Sequence, residues 1–481
     1  MRLHPLSAGL LSVLLLGACV GPGDTADSPD ESVGATESEV SEPAESAEVV
    51  GEPRVAPAWE QSVSTADFSR CKLLDPRPDD IKELYRGQKR GDVIGRDNVG
   101  FPRTEREIPG LGEGNIIVAK VSFLDAPPSD KVPENFLEEQ TGILTEWSEY
   151  WSQGKFRYTF QLIDGWVEVP INHADYPIDP GVGDNQYDQE EFEAQMQARQ
   201  EQIAQAVVAE FPRDLDWAAA DAIFVYWSPE ITAFVQSVGS RGAQFNTPDG
   251  TFRIPFSGGG IYHYSGASGI PFSLKQEYMW TWWAHDIMHL QGMNGHAPGN
   301  GWKTGVGQGA YPASGMFSGA LTAWETFLFE WFDDEQVHCA DIETLQEPEQ
   351  VMLTPLEIYG GERKMIAIRS EDYKVIVVES RRPIGWSKTW DPRNSGLLVY
   401  EVDADGTHTD HVPNDCGNDP KNPKWAYYLY PDNSTRVGCA MNDIDEVLVR
   451  EGETLTHSGV RISLEFSGDD VDYVQIEKVN E

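Results

Sequence analysis

Apolar and polar side chains follow two different spacings in the first half of the chain. Residues 115–123 form a continuous β-branched and apolar run, which is typical of a strand buried inside a sheet. Residues 134–151 then place apolar side chains at helical spacing, and Gly154 ends that pattern. Residues 156–169 alternate between apolar and polar side chains, which predicts a pair of strands.

The next segments repeat this order of strand and helix. A second helix is predicted at about 190–211 and a second buried strand at 221–227. The glycine-rich residues 257–260 predict a loop, and they lack the spacing of a phosphate-binding loop. A tryptophan-rich helix follows at about 273–291. Strands interleaved with helices predict an α/β (α+β) fold.

The pattern changes from about residue 346 onward. Short β runs separated by turns predict a β-rich lobe packed on the preceding domain. Its strands are expected at 351–353, 364–369, 375–379, 397–402, 447–449, 460–466 and 474–476. This lobe is either an accessory substrate-binding module or a structural cap.

The N-terminus has the features of an export signal. A thin positive start precedes the apolar run 10–16, which is too short to span a bilayer. The run ends in Leu-Gly-Ala-Cys at 16–19, which resembles the lipobox of bacterial lipoproteins, where the signal is cut before the cysteine and the thiol carries a lipid. We therefore expect an exported protein that is lipid-anchored at the bacterial cell surface through Cys19. An ordinary signal peptide with a chance cysteine is the alternative.

Composition fits an acidic surface protein. The segment from residue 20 to about 60 is rich in Ser, Glu, Asp, Pro and Gly, which predicts a disordered, self-repelling tether. The whole chain has a formal charge of -43, which argues against nucleic-acid binding. About 420 residues remain after the tether, enough for a large core and a second lobe.

Besides Cys19, the chain has four cysteines: Cys71, Cys339, Cys416 and Cys439. In an oxidising compartment these predict two disulfides, for which three pairings exist. The short separation favours Cys416 with Cys439, which leaves Cys71 with Cys339. A cysteine-based zinc site is the weaker alternative because the chain contains no C-x-x-C pair.

The tryptophan-rich helix contains a candidate metal motif. His285 and His289 stand at i and i+4, so on a helix both imidazoles lie on one face and can reach one zinc ion. In the familiar H-E-x-x-H motif the second residue is a glutamate that acts as general base. Here it is Asp286, which is shorter by one methylene. Two histidines at this spacing also occur by chance or for packing.

A catalytic zinc ion needs a third protein ligand. After Gly292 the chain continues with Met293, Asn294, Gly295 and His296. The glycine lets the chain turn back beneath the metal, and His296 is the nearest capable donor. Asn294 or a distant carboxylate is the alternative ligand. A strand, a helix, a strand and then this helix is also the order of elements in the N-terminal half of a zinc-peptidase domain.

Taken in order, these segments resemble the immune inhibitor A family of secreted bacterial zinc metallopeptidases over about residues 114–405. Residues 118–125 resemble the family's first strand, which ends in an aromatic residue and an acid. Residues 149–156 resemble its tyrosine-serine-glycine-lysine segment, and 166–170 its next strand. Further resemblances lie at 314–316, at 321–324 with a helix continuing to Trp331 and Phe332, and in two paired strands at 373–381 and 396–403.

The resemblance implies a metzincin-like catalytic domain that hydrolyses peptide bonds in proteins. His285 and His289 would bind zinc with His296 as third ligand, and Asp286 would act as general base. Met316 would form a Met-turn, a hydrophobic floor beneath the metal.

Calcium is a second candidate cofactor, because Asp403-Ala404-Asp405-Gly406 followed by Asp410 resembles the start of a calcium loop. An ordinary solvated loop is the alternative.

Two functions are therefore compared. The first is a cell-surface zinc metalloendopeptidase, acting as a monomer on protein or peptide substrates and touching the membrane through its lipid anchor alone. The second is a catalytically weak or inactive protease-fold lipoprotein that binds a partner at the surface.

The expected organisation is a lipoprotein signal peptide at 1–18, a tether at 19–60, an N-terminal extension at 61–113, a metallopeptidase-like domain at 114–345 and the β-rich lobe at 346–481.

Overall fold

The computed structural model describes residues 59–64, 66–74, 100–102, 108–176, 189–231, 238–240, 244–247, 250–259, 279–292, 319–388, 394–404, 426–434 and 444–479. The signal peptide, Cys19 and nearly all of the tether lie outside these residues. No helix in the described part is both long and apolar enough to cross a bilayer.

The first half of the chain forms a five-stranded sheet in the order β2-β1-β3-β7-β4, with a separate β5–β6 hairpin. The strands are β1 (Gly112–Phe123), β2 (Phe156–Val169), β3 (Ala222–Trp227), β4 (Val238–Ser240), β5 (Gln244–Thr247), β6 (Gly250–Arg253) and β7 (Phe256–Gly259). All neighbouring pairs in the sheet are parallel except β4 with β7 at the edge, which is antiparallel.

Helices cover both faces of this sheet. Helix α1 (Phe136–Trp151) packs on one face, which presents Ile116 and Val118 of β1. Helix α2 (Gln189–Ala209) packs on the other face, where Ile117 of β1 lies. Because successive side chains of a strand point to opposite faces, a strand covered on both sides must be apolar at nearly every position. This explains the continuous apolar run predicted as the first strand, and both helix predictions are confirmed.

The expected pair of strands at 156–169 is wrong. β2 is one strand that runs parallel to β1 over its whole length. Its register shifts midway: Leu162 is opposite Val118, whereas Trp166 is opposite Lys120. Three residues of β2 therefore stand opposite one residue of β1, with Gly165 at a positive φ of 71°. The interruption is a bulge, which bends a strand without reversing it.

The glycine-rich segment also differs from its prediction. Residues predicted as a loop form β7, which pairs with β3. A Cβ atom added at Gly258 would lie 2.0 Å from the indole ring of Trp227. A glycine is needed there because the tryptophan of the neighbouring strand occupies the space of a side chain. Composition indicated a turn, but close packing is the reason for the glycine.

The second half of the chain is β-rich, as expected. The strands are β8 (Val337–Asp341), β9 (Glu349–Leu353), β10 (Met365–Glu371), β11 (Lys374–Arg381), β12 (Gly396–Asp403), β13 (Ala426–Tyr428), β14 (Leu448–Val449), β15 (Thr454–His457), β16 (Val460–Ser467) and β17 (Asp472–Lys478). One sheet has the order β13-β12-β11-β10-β8 with β14 beside β12, and another has the order β15-β16-β17-β9. The predicted pairing of 373–381 with 396–403 is confirmed by the antiparallel β11–β12 ladder.

The two halves share a hydrophobic core. Apolar side chains of β11 and β12, such as Val377 and Leu398, belong to the same buried cluster as those of α1. A second cluster lies between the two β-rich sheets. The first strand of the β-rich part, β8, begins at Val337, before the expected boundary at residue 346. The described chain is thus a mixed α/β structure of the α+β kind.

Helix α4 (Ala323–Leu328) connects the two halves and is shorter than expected. We predicted that it would continue to Trp331 and Phe332. Instead, Phe329 caps the helix and Glu330 has a positive φ of 61°. The left-handed residue reverses the chain, and Trp331 turns back to donate from its Nε1 to the carbonyl of Gly110, 2.8 Å away.

The N-terminal extension is attached to the β-rich sheets. Trp59 stacks on Tyr473, and the backbone N–H of Ser62 donates to the carbonyl of Gln350 on β9. Cys71 and Cys339 form a disulfide, which is the pairing that the spacing of the cysteines left for them. Among the described residues, contacts with the folded part are thus made already by Trp59, which lies in the segment predicted as the tether. Cys416 and Cys439 lie outside the described residues.

Candidate metal centre

The motif with two histidines lies on helix α3 (Met279–Leu290). This helix is buried almost all round, with Trp283 and Ile287 among its core residues. Its ring contact with α1 is the pair Phe136 and Trp283, whose centroids are 6.4 Å apart. A helix that is apolar on every side belongs in a protein interior. The polar side chains that it carries are therefore exceptions that need a reason.

Both ends of α3 are held by side chains from neighbouring elements. At the N-terminal end, Gln140 of α1 accepts a hydrogen bond from the backbone N–H of Trp280 at 2.9 Å. At the C-terminal end, the hydroxyl of Tyr158 donates to Oε1 of Gln291 at 2.7 Å. Gly292 follows with a positive φ of 104°, a usual end for a helix. These bonds hold α3 in place against α1 and β2.

The structure places His285 and His289 one turn apart on α3, as the spacing predicted. The side chain of His285 is 4 % exposed, and its ring lies 6.4 Å from that of Trp282. For His289 the described part is its backbone within the helix. Histidine is a residue type that zinc takes as a ligand, and the helix brings the backbones of these two histidines one turn apart.

Asp286 is buried beside these histidines and contacts the sheet. Its side chain is 5 % exposed, and its Oδ2 accepts a hydrogen bond from the hydroxyl of Ser257 on β7 at 2.6 Å. The donor residue is itself only 6 % exposed. Sequence reasoning missed Ser257, because it lies in the glycine-rich run predicted as a loop. Its contact with a residue 29 positions away left no signal in local spacing.

Several predicted site residues lie outside the described residues, namely His296, Met316, Asp405 and Asp410. Asp403 ends β12 and is buried. Among the residues that the structure describes, no group of three or more His, Cys, Asp or Glu side chains is placed to hold a metal ion.

The chain that leads into α4 is held by the β-rich half. Thr322 and Glu325 form a capping box at the start of the helix. The carbonyl of Gly319 accepts a hydrogen bond from Nε1 of Trp147 at 2.6 Å. The carbonyl of Leu321 accepts one from Arg381 of β11 at 2.9 Å. The segment from Gly319 to the start of α4 is therefore fixed from both halves of the molecule.

A buried charge network completes this attachment. Arg381 contacts Glu379 at 3.1 Å and Glu357 at 2.9 Å, and all three side chains are fully buried. Burial raises the pKa of Glu379 to about 7, although Arg381 and a backbone hydrogen bond from Ala323 oppose this shift. The continuous apolar run at 375–378 predicted the strand. Nothing local indicated that the next charged residues would be buried.

No protein-family model matches the chain, and no curated protein matches it either. The function therefore has to be inferred from the residues of the site. These are two histidines one turn apart on a buried helix, and between them an aspartate that is hydrogen-bonded to the sheet.

Proposed function

We propose that the protein is a zinc-dependent metalloendopeptidase with a metzincin-like catalytic domain, exported and anchored at the cell surface through a lipid on Cys19. The observation that carries the proposal is the placement of His285, Asp286 and His289 on one buried helix that packs against the sheet. The order of strands and helices before α3 supports it further.

In this reading His285 and His289 hold zinc, with His296 as third ligand. Zinc in such a site supplies a water molecule of lowered pKa and polarises the carbonyl of the scissile bond. Asp286 accepts the proton of the attacking water and passes it to the leaving amine.

One observation favours the second function, a surface-binding protein of low or no catalytic activity. Compared with glutamate, Asp286 withdraws the carboxylate by roughly 1–1.5 Å, and a misplacement of about 1 Å can cost about a hundredfold in rate. Its Oδ2 is moreover bonded to Ser257. A carboxylate held by the sheet could serve to attach the helix alone.

The deciding experiment measures zinc content and casein cleavage on the same samples. We would purify the chain from residue 20 as wild type, His285→Ala, Asp286→Asn and His457→Ala. The last variant is the matched control, because His457 pairs with Glu401 in the β-rich half. We expect about one zinc ion per wild-type chain, and cleavage that stops when a chelator is added.

Each variant has its own expected result. His285→Ala should lose zinc and activity together, since it removes a ligand. Asp286→Asn should keep zinc but lose at least a hundredfold in kcat, because an amide cannot accept the proton. His457→Ala should match the wild type in both. Zinc binding without cleavage by the wild type would favour the surface-binding function, and no bound zinc would exclude both the ligand assignment and the peptidase.

A further inference from the structure

We infer that Ser257 is a positioning residue for Asp286, and that the closeness of β7 to α3 is the reason why the shorter acid stands at position 286. The inference rests on the proposed function, because it assigns a supporting role within that same site. The starting observation is the hydrogen bond of 2.6 Å from the Ser257 hydroxyl to Oδ2 of Asp286.

The hydroxyl of Ser257 is held rigidly. Its residue pairs with Phe224 in the parallel ladder between β7 and β3. The next residue, Gly258, lies directly against the indole ring of Trp227, with no room for even a methyl group. Strand β7 is therefore fixed to β3 by both its backbone and its packing, and the hydroxyl cannot retreat from α3 without breaking that contact.

Helix α3 is held as firmly on its side. Its ends are bonded to Gln140 and Tyr158, and Trp283 packs against Phe136. Two rigid elements thus set the distance that a side chain at 286 must bridge. An added methylene would lengthen that side chain by about 1.5 Å. Because the carboxylate of Asp286 already contacts the hydroxyl, that of a glutamate would overlap it or have to fold away.

The hydrogen bond also orients the acid. A hydroxyl that donates to a carboxylate makes a charge-assisted bond, which is shorter and stronger than one between neutral groups. Ser257 provides a single donor, whereas a carboxylate has about four lone-pair sites. The bond therefore holds Oδ2 of Asp286 at a defined position beside β7.

The test shortens the side chain at position 257 and lengthens the one at position 286, in the chain from residue 20. We compare the wild type, Ser257→Ala, Asp286→Glu and the double variant Ser257→Ala/Asp286→Glu. Melting temperatures are measured without zinc, and kcat and KM for labelled casein are measured with zinc. The matched control is Ser122→Ala with Asp286→Glu, because Ser122 is a buried serine on β1, two strands away from β7.

We expect Asp286→Glu to lower the melting temperature by about 2–4 °C and kcat by about tenfold to a hundredfold. Removing the Ser257 hydroxyl should make room for the glutamate, so the double variant should recover most of the loss in melting temperature, while its kcat rises no higher than that of Ser257→Ala and KM stays unchanged within about twofold. Ser257→Ala alone should lower kcat because the carboxylate of Asp286 is no longer oriented by this hydrogen bond. The Ser122 control should recover nothing.

A double variant no more stable and no more active than Asp286→Glu would overturn the inference. A Ser257→Ala variant with the kcat of the wild type would overturn the positioning role and leave a purely structural contact. If no variant, including the wild type, cleaves casein while the melting temperatures still recover, the proposed peptidase fails and the positioning role of Ser257 fails with it. That result differs from a double variant whose melting temperature does not recover, which would show that the Ser257 hydroxyl does not limit the length of the side chain at position 286.

Discussion

The carboxylate of Glu379, in β11, accepts a hydrogen bond from the backbone N–H of Ala323, the first residue of α4, at 2.6 Å. The same oxygen accepts a hydrogen bond from the hydroxyl of Tyr400 in β12 at 2.9 Å. An acidic group at the N-terminal end of a helix is stabilised by its unpaired N–H groups. One side chain thus fixes the start of α4 to the β-rich half.

This arrangement predicts a specific pH dependence of folding. The pKa of Glu379 is raised by burial from 4.5 to about 7, so the folded state holds the proton more tightly than the unfolded chain. The resulting stabilisation is complete below pH 4.5 and is lost as the pH rises through 7. Compared with Glu379→Gln, the free energy of unfolding of the wild type should fall by on the order of 2–3 kcal/mol between pH 4.5 and 8. Urea unfolding at several pH values measures this, and equal pH slopes for the two proteins would contradict it.

The disulfide predicts a large stabilisation. Cys71 and Cys339 are separated by 268 residues, so the bond restricts a long loop in the unfolded chain. The double variant Cys71→Ala/Cys339→Ala should lose on the order of 2–5 kcal/mol of unfolding free energy. Urea titration checks this, with wild-type protein under reducing conditions as a second route to the same loss. A variant as stable as the oxidised wild type would show that packing alone holds the N-terminal extension.

Two glycines predict opposite effects of the same substitution. Gly258→Ala places a methyl group 2.0 Å from the Trp227 ring, and an overlap of this kind in a packed core costs about 1–3 kcal/mol or more. Gly142→Ala, in the exposed middle of α1 with nothing within 4 Å, should stabilise by about 0.5–1 kcal/mol. Thermal melting of both variants is the measurement, and a Gly258→Ala protein as stable as the wild type would mean that β7 can move away from β3.

A buried ion pair joins the two β-rich sheets. Arg382 follows β11 and contacts Asp472, the first residue of β17, which also accepts a hydrogen bond from Ser380 at 2.7 Å. Asp472→Asn should cost about 3–5 kcal/mol, because it leaves the buried guanidinium without its counter-charge. The matched control is Glu477→Gln, which breaks the partly exposed pair with Arg461 and should cost less than about 1 kcal/mol. Equal losses in urea unfolding would refute the distinction.

The parts of the fold that could be predicted are those set by local patterns. The continuous run at 115–123, the helix at 136–151 and seven of the ten described strands of the β-rich half follow from spacing alone, whereas β8, β13 and β15 were not predicted. The parts that could not be predicted depend on neighbours far away in sequence. Gly258 needs Trp227, the bulge in β2 needs the register of β1, and Glu330 ends α4 because the chain must return to Gly110.

The candidate centre divides in the same way. Helical spacing placed His285 next to Asp286 and one turn from His289, and the helix is observed. The acid's partner, Ser257, could not be found, because a serine followed by three glycines looks like a loop residue until the tryptophan of the adjacent strand is in place. The buried network around Glu379 was missed for a related reason: charged residues at the end of a strand usually face solvent.

The link between Cys71 and Cys339 also decides what a single proteolytic cut would do. A cut anywhere between these two residues leaves two polypeptides that are still joined covalently. Helix α3 and the whole first sheet lie within that closed stretch, and both β-rich sheets lie on the far side of it except for the start of β8. After one such cut, the disulfide therefore keeps the N-terminal fragment attached to the C-terminal fragment. The two fragments separate only when the disulfide is reduced as well.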